Sequence, residues 1–248
     1  LATAVAVLLS VGCVAWTLEL TAAVGKGISV LANGAVGWQP LAFVVGAAAI
    51  VVGILGYGWV ERVMTGMMLG LLVAYVVVAG AASPSLSSMA TGFVPNVPDV
   101  GAVTLAAGIL GTTALWPNFF LESNLVGQKG WDDESDVSSM RTDLGIGYAV
   151  GGLTTIAIVV VAAAVLRPAG ITELATFLTP GEALATVLGD WAMVAFIVGA
   201  VAAAFNSIIP IMWAPAYMIP QAYGMEVTAD DRVFKIIYAG LTALGSLS

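Results

Sequence analysis

Apolar residues fill the chain in long runs, separated by short polar stretches. A helix crossing a bilayer core needs about 20 predominantly apolar residues. Seven runs approach that length: 1–31, 41–60, 65–82, 101–126, 144–166, 182–210 and 233–248. None alternates with a period of two, and lipid offers no partner to an open strand edge, so each run is predicted to be helical. The predicted fold class is therefore an all-α membrane protein, with one transmembrane domain over 1–248. The first run opens without Met and without a charged segment, unlike a signal peptide. The last stops after about 16 residues, short of a span. Both ends are expected to be internal to a longer protein.

Composition narrows the class further. Of 248 residues, 60% are hydrophobic and 9% charged, with a mean hydropathy of +1.03. Soluble domains carry roughly 25% charged residues, so soluble enzymes and disordered chains are excluded. The net charge of −8 leaves no basic patch for nucleic acid. The chain has no His, and Cys13 stands alone, which removes His-based triads, His metal ligands and an intrachain disulfide. No nucleophile–base pair or phosphate-binding loop is present, so no enzyme is expected. Arg62, Lys129, Arg141, Arg232 and Lys235 fall on one side of the predicted spans, against Arg167 in the loops of the other. By the positive-inside rule the loops 61–64, 127–143 and 224–232 are expected to be cytoplasmic, in a multi-pass protein of the cell (inner) membrane. The pairs Gly66/Gly70 and Gly147/Gly151 have the spacing that lets helices approach closely.

Polar groups inside a span are costly and invite a functional reading. They concentrate in the fourth run, as Gly111-Thr112-Thr113-Ala114-Leu115-Trp116-Pro117-Asn118, followed by Glu122, Ser123 and Asn124. Pro117 lacks an N–H and clashes with the carbonyl of Thr113 in a continuous helix, which predicts a kinked or unwound segment. Freed carbonyls at that depth are tolerated only inside protein or against a water-filled cavity, and broken helices of this kind build the ion sites of secondary transporters. A plain Pro kink with back-bonded hydroxyls is the competing reading. Glu122 lies near the cytoplasmic end of its run, where it either reaches water or lines an ion path. Glu19 is deep in the first run, while Lys26 can snorkel outward. Asn206 and Ser207 either complete an oxygen-lined site or hydrogen-bond between helices.

The block 92–126 resembles the natural resistance-associated macrophage protein (Nramp) family of divalent-metal transporters. The residues that carry the likeness are Gly92-Phe93-Val94-Pro95, Gly108-Ile109-Leu110-Gly111-Thr112-Thr113 and Leu121-x-Ser123-x-Leu125-Val126. Ala22-Ala23-Val24-Gly25 echoes the family's third helix. The resemblance implies a partial LeuT-like bundle whose seven runs correspond to the family's third to ninth helices, with a broken fourth run here. It also implies that the ion binds where this broken helix meets the family's first helix.

This sequence departs from the family pattern at the ligands. The family's sixth helix carries Met-Pro-His, whereas an ungapped match puts Leu115-Trp116-Pro117 there and a one-residue shift puts Trp116-Pro117-Asn118 there. Glu122 takes the place of a family His, Glu19 falls near one acidic position, and Ala22 replaces another. Thioether ligands favour soft or borderline metals, whereas oxygen donors suit Mg²⁺, Ca²⁺ or Mn²⁺, so the pattern is similar to the Nramp-related magnesium transporters. The implied metal ligands are Gly111, Thr112, Thr113 and Asn118, with Leu115, Trp116 and Pro117 shaping the break. Glu19, Glu122, Asn206 and Ser207 form a second tier along the ion path. No cofactor is expected beyond the transported cation, Mg²⁺ or Mn²⁺, and the expected partner is the lipid bilayer. A Na⁺-coupled organic solute carrier of the same fold and a non-transporting scaffold are the alternatives.

Overall fold

The computed structural model describes residues 1–92, 94, 99–113, 116–131, 133–171 and 173–247, the side chains of Ser88, Thr112, Thr113 and Trp116 excepted. Among the described residues the chain is helical and has no strand. The helices are α1 (Ala2–Leu31), α2 (Trp38–Ile54), α3 (Tyr57–Ala81), α4 (Leu86–Gly92), α5 (Val100–Thr113) and α6 (Trp116–Gln128). A 3-10 turn (Glu134–Asp136) leads into α7 (Val137–Val161), which ends in a π segment (Ala162–Leu166). Then come α8 (Thr179–Leu188), α9 (Asp190–Ala222) and α10 (Arg232–Leu244). Among the described residues four stretches are long and apolar enough to cross a membrane: Ala2–Leu31, Tyr57–Ala81, Glu134–Leu166 and Asp190–Ala222.

Several boundaries differ from the hydropathy reading, for one physical reason. A glycine can reverse the chain without adding charge, so the reversal is invisible to apolar run length. Gly56, at φ +92, ends the α2 segment and starts α3. Residues 61–64, read from their charges as a loop, lie instead in the second turn of α3 and just beyond it. Gly189, at φ +94, splits the run 182–210 between α8 and α9. α9 then continues through Pro210, Pro215 and Pro220. Each proline denies a hydrogen bond to the carbonyl four residues earlier, at Asn206, Ile211 and Ala216. The loop predicted over 127–143 is shorter, because α7 begins at Val137.

α9 is the centre of the array and packs against α1, α2, α3, α6, α8 and α10. Its segment from Ile208 to Met218 is buried almost all round, as in a helix apolar on every face. Trp213 and Tyr217 meet Phe234 of α10 at ring-centroid distances of 5.5 and 4.6 Å. α10 is amphipathic: Phe234, Tyr238 and Thr242, at i, i+4 and i+8, turn inward. The Tyr238 hydroxyl donates to the Ala49 carbonyl of α2 at 2.6 Å. Thr21 of α1 donates to the Gly245 carbonyl at 3.1 Å. These bonds fasten α10 to α1 and α2 through groups that lipid cannot satisfy.

Close approach uses glycines other than the two predicted pairs. A Cβ at Gly25 would meet the α2 backbone at Trp38 and Ala42, one at Gly27 would meet Val201, and one at Gly46 would meet Ser246. Gly66, Gly70, Gly147 and Gly151 face open space, so the spacing alone misidentified the packing positions. α5 stands apart and is exposed along nearly all its length.

Cations stack on tryptophan at the helix ends, where amphipathic rings sit at a membrane surface. Lys26 lies 5.1 Å from the Trp38 ring, Arg62 5.7 Å from Trp59 and Lys129 4.7 Å from Trp131. Lys129 also pairs with Glu61, and Asp230 lies 3.2 Å from where a Cβ on Gly56 would stand. The segments around 61, 129 and 230 therefore share one end of the array. A methyl added at Gly53 would run into the Tyr238 ring. Gly53→Ala should cost about 1–3 kcal/mol, as overpacking does, and lower the melting temperature in detergent. Gly66→Ala, in open space, should leave it unchanged or slightly higher.

Candidate functional site

The polar cluster of the fourth run falls across α5 and α6. Pro117 occupies the first turn of α6, where a missing N–H costs nothing and the fixed φ suits a helix start. Pro117 and Leu121 are buried one turn apart, on the helix that packs on α9. Asn118 is exposed, and so is Gly111, beside which a Cβ would meet nothing within 4 Å. Leu115, and the side chains of Thr112, Thr113 and Trp116, lie outside the described residues. Further along α6, Asn124 accepts a hydrogen bond from Gln221 Nε2 of α9 at 2.7 Å. Its own amide donates to the Phe120 carbonyl at 2.7 Å.

The second-tier residues do not converge on one place. Glu19 is exposed on α1 and lines a cavity of about 540 Å³ with Tyr75, Leu166, Phe177, Leu184 and Phe196. Glu122 lines a different cavity, of about 350 Å³, between α3, α6, α7 and α9. Ser207 donates to the Ala203 carbonyl at 3.0 Å, the back-bonded arrangement of a helix hydroxyl. Asn206 is different. Its Oδ1 is buried without a hydrogen-bond partner, and Pro210 leaves its main-chain carbonyl without a helical donor. One residue inside a spanning helix thus has an unsatisfied side-chain oxygen and a carbonyl that lacks its i+4 donor. Thr17 Oγ1 of α1 is likewise buried and unpartnered.

The cavity of Glu122 holds a charged cluster that the sequence reading missed. Lys129 Nζ lies 2.9 Å from Asp143 Oδ2 and 3.1 Å from Glu61 Oε1. The Tyr57 hydroxyl donates to the same Glu61 oxygen at 3.3 Å. Burial works against the ammonium, but hydrogen bonds to Asp143 and Glu61 outweigh it and raise the Lys129 pKa above the ordinary lysine value. Lys129 is therefore a fixed positive charge at physiological pH. Glu122 makes no ion pair among the described residues. The available sequence signal was topological, since the predicted spans bring Glu61, Lys129 and Asp143 to the same end. Among the described residues no group of three or more His, Cys, Asp or Glu is disposed to hold a metal.

Long apolar helices, cations capped by tryptophan at their ends and unpaired oxygens within define a polytopic integral membrane protein. The family model "Natural resistance-associated macrophage protein-like" matches residues 1–248, and the chain belongs to that family, whose fold is LeuT-like. Among its relatives is a protein of Pectobacterium carotovorum subsp. carotovorum (strain PC1) named divalent metal cation transporter MntH. It is 31% identical over 151 residues, 60% of this chain and 37% of the relative. Proteins of the same name from Yersinia pestis (strain Pestoides F) and Yersinia enterocolitica serotype O:8 / biotype 1B are 29% identical over the same shares. The matched part of the chain thus spans 37% of the length of these relatives.

Removing an unpaired buried acceptor and putting an apolar group of similar size in its place is neutral or stabilising. Asn206→Leu should therefore hold or raise the melting temperature in divalent-free detergent. A fall of several degrees there would mean that Asn206 already has a structural partner.

Proposed function

We propose that the protein of which this chain forms part carries a divalent cation of the Mg²⁺ or Mn²⁺ class into the cell by alternating access. The observation that carries this reading is the family match over all 248 residues, joined to relatives named for divalent metal transport. The donor chemistry selects within that class. The stretch 111–124 offers hydroxyl, amide, carboxylate and carbonyl oxygens, with neither thioether nor imidazole. Oxygens of this kind favour hard cations, and Mg²⁺ in particular sheds its waters reluctantly and keeps several.

In this reading the oxygens of Gly111, Thr112, Thr113 and Asn118 contribute to the cation site, and Leu115, Trp116 and Pro117 shape the junction of α5 and α6. The exposure of Gly111 and Asn118 supports the role, since both are open to a ligand or to a further segment of the protein. Asn206, with its unsatisfied side-chain oxygen, Ser207 beside it, and the carboxylates Glu19 and Glu122 stand along the ion path. The end that carries Arg62, Lys129 and Lys235 faces the cytoplasm, in a multi-pass protein of the inner membrane.

Asn118→Ala in the full-length protein should reduce divalent uptake at least about tenfold, the loss expected from about 1.4 kcal/mol of missing ligation. Radiotracer or fluorescent-indicator uptake into proteoliposomes measures it. Unchanged uptake of both Mg²⁺ and Mn²⁺ at matched protein density would remove Asn118 from the site.

A further inference from the structure

We propose that Lys129 is the bolt of a latch that closes the cytoplasmic mouth of the cavity between α3, α6, α7 and α9. The proposal deepens the transport reading, but its test does not depend on transport. Lys129 immediately follows α6, so any displacement of that helix carries the ammonium with it. α6 packs chiefly on α9, and the cavity opens beside that contact, lined by Ile209, Pro210 and Trp213 of α9 as well as by α3 and α7. Across that gap the ion pairs of Lys129 run to Glu61 of α3 at 3.1 Å and to Asp143 of α7 at 2.9 Å. One ammonium thus ties together three helices.

The surroundings suit a contact that opens and closes. The Lys129 side chain is 18% exposed, while its partners are 46% and 51% exposed. Water can therefore take over both carboxylates when the ammonium leaves. Partly exposed pairs are individually weak, whereas a buried pair would hold the mouth shut. Trp131 lies beside the ammonium, 4.7 Å away, and lines the mouth with it. Behind this polar rim the lining is apolar, with Met64, Met68, Leu125 and Trp213. The ion pairs and the Trp131 ring narrow the approach to this apolar part. A withdrawn Lys129 leaves Glu61, Glu122 and Asp143 facing one another uncompensated, which drives the mouth wider by like-charge repulsion.

The test uses full-length protein in inside-out vesicles, with Cys13 and any other native cysteine replaced by Ser and a reporter introduced as Met64→Cys. Alkylation by a membrane-impermeant maleimide reads access to the cavity from the cytoplasmic face. Lys129→Gln should speed alkylation by about threefold to tenfold, the range expected for losing two weak pairs. Lys129→Arg, which keeps the charge and both carboxylate contacts, should stay near the parent rate. Raising salt from about 0.05 to about 0.5 M should speed alkylation when Lys129 is present and have little effect in Lys129→Gln, because salt screens exposed pairs. The salt response of the parent protein reads the same contact with position 129 unchanged, so a parent rate that salt leaves unaltered also overturns the latch, whatever the fate of Lys129→Gln. An unchanged rate in Lys129→Gln, or a salt response that persists without Lys129, overturns the latch. Release of a preloaded divalent cation from the same vesicles addresses the transport reading separately: absent release with salt-dependent access would sink transport and leave the latch standing.

Discussion

Helices in lipid gain nothing from burying apolar surface against each other, because the tails they displace are equally apolar. The array around α9 therefore depends on how closely neighbouring backbones approach. Gly25 and Gly27 let α1 touch α2 and α9, and Gly46 and Gly53 admit Ser246 and Tyr238 against α2. Those approaches in turn bring Tyr238 within reach of the Ala49 carbonyl and Thr21 within reach of Gly245. Removal of a side chain at a few positions thus permits both the dispersion contacts and the hydrogen bonds. The prolines of α9 fit this frame, since backbone acceptors they leave unpaired sit inside a helix surrounded by protein.

How much of this was legible in the sequence depended on the kind of signal. Helical class and apolar spans follow from run length, because lipid permits almost nothing else. The turns at Gly56 and Gly189 were not legible, since a reversal made by one glycine neither adds charge nor interrupts hydropathy. The charges of Glu61 and Arg62 then drew the expected loop several residues too late. The pairs Gly66/Gly70 and Gly147/Gly151 failed for a related reason. Spacing tells that two glycines share a face, but only tertiary structure tells whether a neighbour lies against it.

The candidate site divides along the same line. The cluster from Gly111 to Asn124 was legible because polar residues are scarce in spans and a local concentration stands out. Asn206 was legible as a polar residue in a span, but its unsatisfied state needed both the structure and the position of Pro210. For Lys129, Glu61 and Asp143 only a shared end of the array was legible, and their contact was not. The three belong to separate segments of the chain, and each alone reads as an ordinary charge at a membrane surface.

The two halves of the array are held by different forces, and that difference bears on how such a protein could move. α1, α2, α9 and α10 are joined by buried aromatic packing and by hydrogen bonds from buried hydroxyls. Separating them would expose several unpaired groups to lipid at once, so they behave as one body. α6 instead rests on α9 through a modest apolar face around Leu121, and its remaining ties are polar and partly wet. These are Asn124 to Gln221 and Lys129 to Glu61 and Asp143. Water can replace each of them without leaving a buried group orphaned. A helix fastened to a dense scaffold by exchangeable contacts at its aqueous end can shift at small cost. α5, which carries Gly111, Thr112 and Thr113, is exposed along nearly all its length and offers still less resistance. The residues proposed to meet the cation therefore lie on α5, which the scaffold barely touches, and on α6, which it holds by one apolar face and exchangeable polar ties.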